Sequence, residues 1–459
     1  MEILLISLFI IGYAAIAFEH SIKVDKAASA LILGVLIWTV VILAGYTLIP
    51  DDQLGLRVYL DKLLIENKLD PSLSITDFKH QYIEYGLVEY LGEVSQILFF
   101  LIGAMAIVEV IDIHKGFQFI TDRIKTTNAV KLLWIISVLT FFLSAILDNL
   151  TTTIVMVSLI RKLIEDQHKR WFYAGIIVIA ANSGGAWSPI GDVTTTMLWI
   201  DGQITESNIV LELILPSIIA LLIPLFILSF TLKGDLKRPK IADIPTLQHK
   251  PIDITQKESF LVLITGVAGL IFVPAFKLIT HLPPFMGMML SLGGLWIVTE
   301  VLHKKKEQGH YLSVISGLRK VDMASVLFFL GILLAIGGLQ ITGLLRHLAT
   351  FLQDNIADLN ILNIIIGVLS AIVDNVPLVA AAQAMFNVET TGPFATDGTF
   401  WNMLAYCAGT GGSILIIGSA AGVAAMGIEK ISFGWYLKHI SWLALLGYLA
   451  GAITYILIQ

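Results

Sequence analysis

Two stretches, SAILDNLTTT at residues 144–153 and SAIVDNVPLV at residues 370–379, each place an Asp-Asn pair inside a long apolar run. A carboxylate at the centre of a bilayer costs about 2.5–3.5 kcal/mol on insertion scales, so it persists where it meets water, a cation or a proton. The structural alternative is an Asp that accepts backbone amides at the tip of a helical hairpin. Because the pair occurs twice in similar surroundings, we favour a functional role within a membrane protein.

The composition of the whole chain is that of a membrane protein. Of its 459 residues, 56% are hydrophobic and 14% are charged, whereas soluble proteins carry about 25% charged residues. Apolar runs of about 20 residues, the length that spans a bilayer, recur from end to end. The single cysteine, Cys407, excludes an intramolecular disulfide and a cysteine-based metal site. No nucleic-acid signature is found, and we expect no cofactor.

The distribution of Lys and Arg predicts which segments face the cytoplasm. Short cytoplasmic loops carry an excess of basic residues, so segments 232–258 and 303–322 are predicted to be cytoplasmic. The acidic segment 50–92 is predicted to be external. Segment 132–160 has basic residues on both flanks, which predicts a re-entrant hairpin that enters and leaves on the cytoplasmic side. Segment 359–386 has acidic flanks, which predicts a second hairpin that enters from outside.

Two further pairs of stretches extend the internal repeat. LFFLIGAMAI at 98–107 parallels LFFLGILLAI at 327–336, and NSGGAWSPIGD at 182–192 parallels GTGGSILIIGS at 409–419. With the Asp-Asn stretches between them, the offsets are 229, 226 and 227 residues in the same order. Inverted repeats with discontinuous helices are the layout of secondary transporters, whose substrate binds near the bilayer midplane.

The predicted fold is therefore an all-α polytopic membrane protein with two inverted-topology repeats, each containing a re-entrant helical hairpin and a broken transmembrane helix. Both termini are predicted to be external. The predicted segments are 1–93 (N-terminal helices and the external acidic loop), 94–231 (first repeat, with hairpin 132–160 and broken helix 171–200), 232–323 (cytoplasmic linker and two connecting helices) and 324–459 (second repeat, with hairpin 359–386 and broken helix 400–428).

Glycines interrupt the apolar run that follows each predicted hairpin. Backbone that is freed from helical bonding at membrane depth is tolerated where it is buried in protein or lines a wet cavity. Close packing of helices through small residues is the structural alternative. The glycines predicted to form the breaks are Gly184, Gly185 and Gly191 in the first repeat and Gly409, Gly411, Gly412 and Gly418 in the second.

Oxygen-bearing side chains crowd around both breaks, and no His or Cys cluster accompanies them, which indicates a site for a small hard cation. The predicted ion- and proton-binding residues are Ser144, Asp148, Asn149, Thr151, Thr152, Asn182, Ser183, Asp192, Thr194 and Thr195 in the first repeat and Ser370, Asp374, Asn375, Thr410 and Ser413 in the second. Burial favours the protonated carboxyl and a nearby Na⁺ favours the charged one, so one Asp can hold either ion. Because Ser419 stands where the first repeat has Asp192, we expect the principal site in the first repeat.

The paired motifs resemble those of the NhaD-type sodium/proton antiporters of the ion transporter superfamily. SAILDN, SAIVDN, ANSGGAWSPIGDVTTT and GTGGS carry the likeness, which covers about residues 94–458. This superfamily also contains dicarboxylate/sodium symporters and arsenite permeases, and its members are commonly dimers. The resemblance implies that sodium sites lie between each hairpin tip and the next helix break. The positions carried over are Ser144, Asp148, Asn149 and 182–185, with Na⁺ at Asp148, Asn149, Asn182 and Ser183, and then Ser370, Asp374, Asn375 and 409–413.

In the dicarboxylate/sodium symporters the hairpin tips resemble Ser-Asn-Thr, and two departures from that pattern bear on the substrate. An Asp precedes the Asn at both tips, and such a carboxylate would repel a dicarboxylate and suit a cation. Pro377 replaces the hydroxyl expected after Asn375, which makes the second tip less polar.

From these features we expect a non-enzymatic exchanger of cytoplasmic Na⁺ or Li⁺ for external H⁺, in a bacterial cytoplasmic membrane and as a homodimer. Three alternatives stay open from the sequence: a sodium-coupled organic-anion symporter, an oxyanion efflux permease of the same fold, and an intramembrane aspartyl protease. The protease also needs two membrane carboxylates, but it has no need for them to lie in repeats beside glycine breaks.

Overall fold

The computed structural model of the protein is built from α-helices. It describes residues 2–17, 19–49, 54–65, 74–117, 124–239, 254–304, 309–356 and 358–459. The helices are α1 (Glu2–Ala17), α2 (Glu19–Ile22), α3 (Lys26–Leu48), α4 (Leu54–Ile65), α5 (Ile75–Ile113), α6 (Ala129–Leu147), α7 (Asn149–Leu163), α8 (Gln167–Gly185), α9 (Val193–Ile200), α10 (Glu206–Thr231), α11 (Gln256–Thr280), α12 (Pro284–His303), α13 (Val314–Leu318), α14 (Met323–Ile341), α15 (Leu344–Asn355), α16 (Leu359–Leu369), α17 (Asn375–Met385), α18 (Thr399–Gly411), α19 (Ala420–Glu429), α20 (Phe433–His439) and α21 (Ser441–Ile458). The extended pairings within these ranges are two isolated β-bridges, so the all-α prediction is confirmed.

Within the described ranges, eight helices are long and apolar enough to cross a membrane. They are α3, α5, α6, α10, α11, α12, α14 and α21. Their exposed surfaces carry large hydrophobic side chains, such as Leu43, Phe230 and Ile297. Apolar side chains on the outer surface of helices of this length are typical of contact with lipid. The prediction of a polytopic membrane protein is thus confirmed.

One compact unit comprises Met1–Leu98, Asp322–Ala357 and Ala380–Asn387. Its centre is the close pair of helices α3 and α14. A side chain added at Gly34 would lie 2.6 Å from the Gly331 carbonyl oxygen, so two glycines allow these backbones to meet. Trp38 Nε1 donates a hydrogen bond of 2.8 Å to the Leu334 carbonyl and fixes the register of the pair.

The other unit comprises Phe99–Val321, Asp358–Val379 and Val388–Gln459, and it contains the interrupted helices. Asp148 alone separates α6 from α7, and residues 186–192 separate α8 from α9. In the second half of the chain, residues 370–374 separate α16 from α17, and residues 412–419 separate α18 from α19. The four interruptions fall on the motifs that the sequence repeats.

A hydrogen bond recurs at both pairs of interruptions. Ser144 Oγ donates to the Ala181 carbonyl at 2.6 Å, and Ser370 Oγ donates to the Ala408 carbonyl at 2.9 Å. In each case the serine of the SAI motif holds the helix that precedes the glycine break. Equivalent residues of the two sequence repeats therefore make equivalent contacts.

A close backbone contact recurs as well. A Cβ added at Gly184 would overlap the Phe141 carbonyl oxygen, and a Cβ added at Gly411 would overlap the Gly367 carbonyl oxygen. These two glycines let α8 pack against α6 and α18 pack against α16. The packing alternative for the glycines therefore holds at these positions, in addition to their place at the helix breaks.

Gly184→Ala is expected to lower the free energy of unfolding by about 1–3 kcal/mol, because the added methyl group would push α8 away from α6. Thermal unfolding of the purified protein in detergent measures this effect. Gly427→Ala is the matched control, because a Cβ added at Gly427 in α19 would meet no described atom within 4 Å. Equal unfolding temperatures for the two variants would contradict the role of Gly184 in packing.

A buried ion pair joins the start of α8 to the end of α19. The Glu429 side chain is 1% exposed, and both of its oxygens accept hydrogen bonds from Arg170 Nε, at 2.9 and 3.1 Å. Arg161 Nε lies 3.7 Å from the same carboxylate, but the Arg161 side chain is 53% exposed. Trp171 Nε1 donates to the Glu429 carbonyl at 3.0 Å. These contacts tie the two halves of this unit together.

Arg170→Met is expected to destabilise the protein by about 3–5 kcal/mol, because it leaves the Glu429 carboxylate buried without its main partner. Arg161→Met makes the same chemical change beside the same carboxylate at an exposed position, and we expect it to cost about 1 kcal/mol or less. Thermal unfolding in detergent distinguishes the two variants. Equal losses of stability in the two variants would show that burial does not determine how much the ion pair contributes to the free energy of unfolding.

The structure differs from the sequence prediction in the acidic segment 50–92. Within it, α4 forms a helix, and α5 begins at Ile75 and continues without interruption to Ile113. The sequence prediction treated residues up to 92 as a polar connection because acidic side chains are frequent there. Polar residues do not interrupt a helix in water, and α5 continues through Gly86 and Gly92 into the apolar run, since a single glycine costs a helix only about 1 kcal/mol. Residues 66–73 and the linker residues 240–253 lie outside the described ranges.

Candidate functional site

Asp192 is a buried carboxylate at the first glycine break. It is the N-cap of α9 and is 3% exposed. Its Oδ1 accepts hydrogen bonds from the Thr194 N–H and from Thr194 Oγ1, both at 2.9 Å. Its Oδ2 accepts from Asn149 Nδ2 at 2.6 Å. The positive end of the helix dipole and these donors together stabilise the charged form of the carboxylate.

A chain of amide and hydroxyl groups continues from Asp192 to the second break. Asn149 Nδ2 also donates to Asn182 Oδ1 at 3.1 Å, and Asn182 Nδ2 donates to Ser419 Oγ at 3.0 Å. Ser419 is the N-cap of α19 and accepts from the Gly422 N–H at 3.2 Å. The N-termini of both half-helices, α9 and α19, are therefore linked through Asn149 and Asn182.

Asp148 caps α7 and uses both carboxylate oxygens to do so. Oδ1 accepts from the Thr151 N–H at 2.7 Å, and Oδ2 accepts from Thr151 Oγ1 at 2.8 Å. Its φ of 96° is uncommon for a residue with a side chain and marks a strained turn. The structural role that the sequence left open is thus present. The carboxylate is also half-buried and interacts electrostatically with Asp192.

In the second hairpin motif, Asn375 donates from its side-chain amide to acceptor oxygens, as Asn149 does in the first. With its amide nitrogen turned toward acceptors, Asn375 donates to the carbonyls of Ala408 and Gly418, at 3.2 and 3.1 Å. Asp374 Oδ1 accepts from the Val376 N–H at 3.4 Å. Asp374 also interacts electrostatically with Asp192. Charge from the second repeat thus acts on the buried carboxylate of the first.

Several predicted site hydroxyls bond to the backbone instead of to the central carboxylates. Ser144, Ser183, Thr195, Thr410 and Ser413 each donate to a backbone carbonyl oxygen. In this conformation these hydroxyls stabilise helix ends. The exception is Thr152, whose hydroxyl is buried and has no hydrogen-bond partner in the described part of the chain. Thr152 lies one turn after Asp148, and its N–H donates to the Asp148 carbonyl at 3.1 Å.

A glycine beside the second helix break, Gly409, lies close to residues of the first helix break. A Cβ added at Gly409 would lie 3.2 Å from Ala186 Cβ and 3.9 Å from Asp192 Oδ2. A Cβ added at Gly412 would overlap the Asn375 amide. Within the first break, a Cβ added at Gly191 would lie 2.8 Å from Gly185 Cα. Small residues thus allow the backbone at both breaks to pack closely near Asp192, whose side chain accepts from Asn149 and Thr194.

Sequence reasoning missed one contributor to this region, Ser419, and one ion pair at the opposite ends of α8 and α19. Ser419 was treated as the poorer counterpart of Asp192, yet its hydroxyl receives the Asn182 hydrogen bond. The matching position in the repeat was the signal that could have identified it. The ion pair of Arg170 and Glu429 was missed because its partners are far apart in sequence and both lie near span ends, where charged residues are common.

A protein-family model described as "Citrate transporter" (CitMHS) matches residues 13–403 of this sequence. The chain belongs to the citrate transporter family. This membership confirms the resemblance to the ion transporter superfamily that the paired motifs indicated. It also explains why a transporter fold carries polar groups at paired helix breaks.

Individual members of the family that resemble the chain are named as antiporters. Sodium/proton antiporter 2 of Arabidopsis thaliana is 42% identical over 98% of this chain and 98% of its own length. Sodium/proton antiporter 1 of the same plant is 43% identical over 98% of this chain and 72% of its own length. The Na(+)/H(+) antiporter NhaD of Vibrio cholerae is 29% identical over 98% of this chain and 91% of its own length.

Proposed function

We propose that this protein exchanges cytoplasmic Na⁺ for external H⁺ across a membrane. The named sodium/proton antiporters that align along nearly the whole chain support this assignment. The observation that carries it is the group of carboxylates at the helix breaks, where buried Asp192 interacts electrostatically with both Asp148 and Asp374. A concentration of negative charge in a desolvated site favours a cation and repels a dicarboxylate.

The Asn149 amide nitrogen marks the proposed cation position. It donates to Asn182 Oδ1 and to Asp192 Oδ2 at once, so two oxygens from different helices converge on one positively polarised group. Rotation of the Asn149 amide would replace its nitrogen with an oxygen, and Na⁺ would then neutralise the converging oxygens. The all-oxygen set suits a hard monovalent cation. Thr152 Oγ1 and Asp148 are the further ligands that we propose.

Exchange follows from competition for the same carboxylates. A proton on Asp192 or Asp148 removes the negative charge that holds Na⁺, and bound Na⁺ disfavours the proton. When the site faces the cytoplasm, loss of the proton permits Na⁺ to bind. When the site faces outside, arrival of a proton releases Na⁺. The protein needs to expose one site alternately, and it needs no second coupling site.

We also propose that residues 94–231 and 324–459 are inverted repeats whose hairpins enter the membrane from opposite sides. The recurring Ser144 and Ser370 hydrogen bonds, together with the recurring Gly184 and Gly411 contacts, support the repeat. The basic flanks of the first hairpin and the acidic flanks of the second support opposite entry. The proposed topology also places both chain termini outside.

Li⁺ acceptance, a homodimer and a bacterial cytoplasmic membrane belong to the same proposal. Li⁺ is also a small hard cation that prefers oxygen ligands, so it should enter the Na⁺ position. The bacterial antiporter of Vibrio cholerae supports the bacterial membrane, whereas two of the named relatives come from a plant. Adding Li⁺ in the transport assay and measuring the mass of the purified particle by light scattering test the first two points.

Sodium-coupled uptake of an organic anion is the second candidate function, because the family is described by citrate transport. The two functions differ in what Na⁺ gradients drive. An antiporter releases protons from acid-loaded proteoliposomes when Na⁺ is added without any organic anion. A symporter requires the anion, and it accumulates radiolabelled citrate when external Na⁺ is present.

The test is a pH-sensitive dye assay in proteoliposomes, with Na⁺, Li⁺ and K⁺ added separately from mildly acidic to alkaline pH. We expect Na⁺ to drive proton movement without any anion, and we expect its apparent KM to rise as the pH falls. Under strict competition this rise approaches about tenfold per unit of pH once the site is mostly protonated. Absence of a Na⁺ response at every pH, with citrate uptake present, would replace the antiporter with the symporter.

A further inference from the structure

A cavity of about 530 Å³ lies within the unit of Met1–Leu98, Asp322–Ala357 and Ala380–Asn387. Its volume falls in the range of about 300–1,000 Å³ that is common for small-molecule sites. A bare metal ion with its ligands would fill only a small part of this space. The lining therefore has to be examined for the chemistry of an organic ligand.

Tyrosine rings form one wall of the cavity. Tyr59 of α4 stacks on Tyr85 of α5 with ring centroids 4.9 Å apart, and it lies 5.7 Å from the Tyr82 ring. Tyr90 also lines the cavity, next to Gly337, where a Cβ would come 2.5 Å from its ring. The faces of such rings carry a negative quadrupole and attract cations.

The ammonium group of Lys62 contacts this wall. Lys62 Nζ lies 4.5 Å from the centre of the Tyr85 ring, at its hydroxyl edge, and donates to Tyr85 OH at 2.6 Å. Tyr85 OH donates in turn to Glu89 Oε1 at 2.7 Å. Lys62 is thus a cation at the edge of the tyrosine wall, and it is linked to the Glu89 carboxylate through Tyr85.

A second carboxylate, that of Glu93, lines the cavity, and no ion pair joins it to the residues that the structure describes. Tyr82, Tyr85, Glu89 and Glu93 follow one another at helical spacing on α5 and line the same cavity. The charged group that acts on Glu93 is the Glu89 carboxylate, one helical turn away. Like charges at this spacing repel each other, so a bound cation would relieve the repulsion. Arg346 is the other basic residue of the lining, and both Arg346 and Glu93 are exposed.

We propose that this cavity binds an organic cation, with the cationic group between the Glu93 carboxylate and the tyrosine rings. The aromatic faces select an alkylated or delocalised cation over a hydrated inorganic one, because the rings supply no oxygen shell for Na⁺. The size of the cavity leaves room for an organic body beyond the charged group. The site is separate from the proposed ion exchange and does not depend on it.

The probe is choline, titrated calorimetrically into the full-length protein in detergent at constant Na⁺ and constant ionic strength. We expect saturable binding, and we expect the neutral carbon isostere, in which a tert-butyl group replaces the trimethylammonium, to bind at least about tenfold more weakly. Saturable binding that is equal for choline and its neutral isostere, or no choline binding at all, would overturn the proposal. The titration requires no transport, so its outcome is independent of the antiport assay.

Two variants locate the bound cation. Glu93→Gln is expected to raise the Kd for choline by at least about tenfold, whereas Glu300→Gln makes the same change on α12, outside the cavity, and should leave it unchanged. Tyr59→Leu keeps the apolar bulk and removes the ring, and it should also weaken binding. Size-exclusion profiles that match the unmodified protein establish that each variant is folded. Unchanged choline binding in both cavity variants would place the cation elsewhere and contradict the proposal.

Discussion

Asp192→Asn is expected to reduce Na⁺-driven proton exchange by at least about 100-fold. The Asp192 carboxylate is buried, and its Oδ2 receives the Asn149 amide where we place the cation. Asn removes the charge that holds Na⁺ and also removes the group that takes up a proton. Initial rates of Na⁺-induced proton movement in proteoliposomes, normalised to the amount of reconstituted protein, measure the effect.

Loss of transport through misfolding is separated from loss of the site by the choice of substitution. Asn is as good an N-cap as Asp, so α9 keeps its start. Asp201→Asn makes the same change at the other end of α9, where the residue is exposed and is the C-cap. We expect this control to keep the normal rate. Asp192→Asn transport at the rate of the control would rule out Asp192 as the ion-binding carboxylate.

Asp148→Asn is expected to cause the second-largest loss, about 10- to 100-fold in rate, and to flatten the dependence of the apparent KM for Na⁺ on pH. Asn has nearly the same shape as Asp, and its side-chain oxygen can still accept the Thr151 N–H. The variant should therefore fold with the same turn between α6 and α7. The measurement is the Na⁺ concentration dependence of exchange at several pH values.

Asp374→Asn is the matched comparison in the second repeat. The first repeat has Asp192 beside its hairpin motif, whereas the second has Ser419, so the second lacks a buried carboxylate at the equivalent position. We expect Asp374→Asn to lower the rate less than Asp148→Asn and to leave the pH dependence largely intact. Equal effects of the two substitutions would show that the two repeats contribute equally, against the asymmetry that the sequence suggests.

The positions of the helix breaks were predictable because their causes are local. Gly and Asp favour backbone conformations that end a helix, and these residues repeat at nearly constant offsets in the sequence. The structure interrupts its helices at Asp148, 186–192, 370–374 and 412–419. The length of α5 was not predictable in the same way, because acidic side chains exclude a segment from the lipid without ending its helix.

The sequence by itself determined that this is an all-helical membrane protein and which motifs carry its carboxylates, because hydrophobic length and local turn chemistry are properties of the chain. It also indicated the family, which the match over residues 13–403 confirms. Only the tertiary structure decided which polar groups meet. Asn149 contacts Asn182 and Asp192 across 33 and 43 residues of sequence, and Asn182 reaches Ser419 across 237. Such contacts depend on how glycines let helices approach each other, and no local pattern encodes that choice.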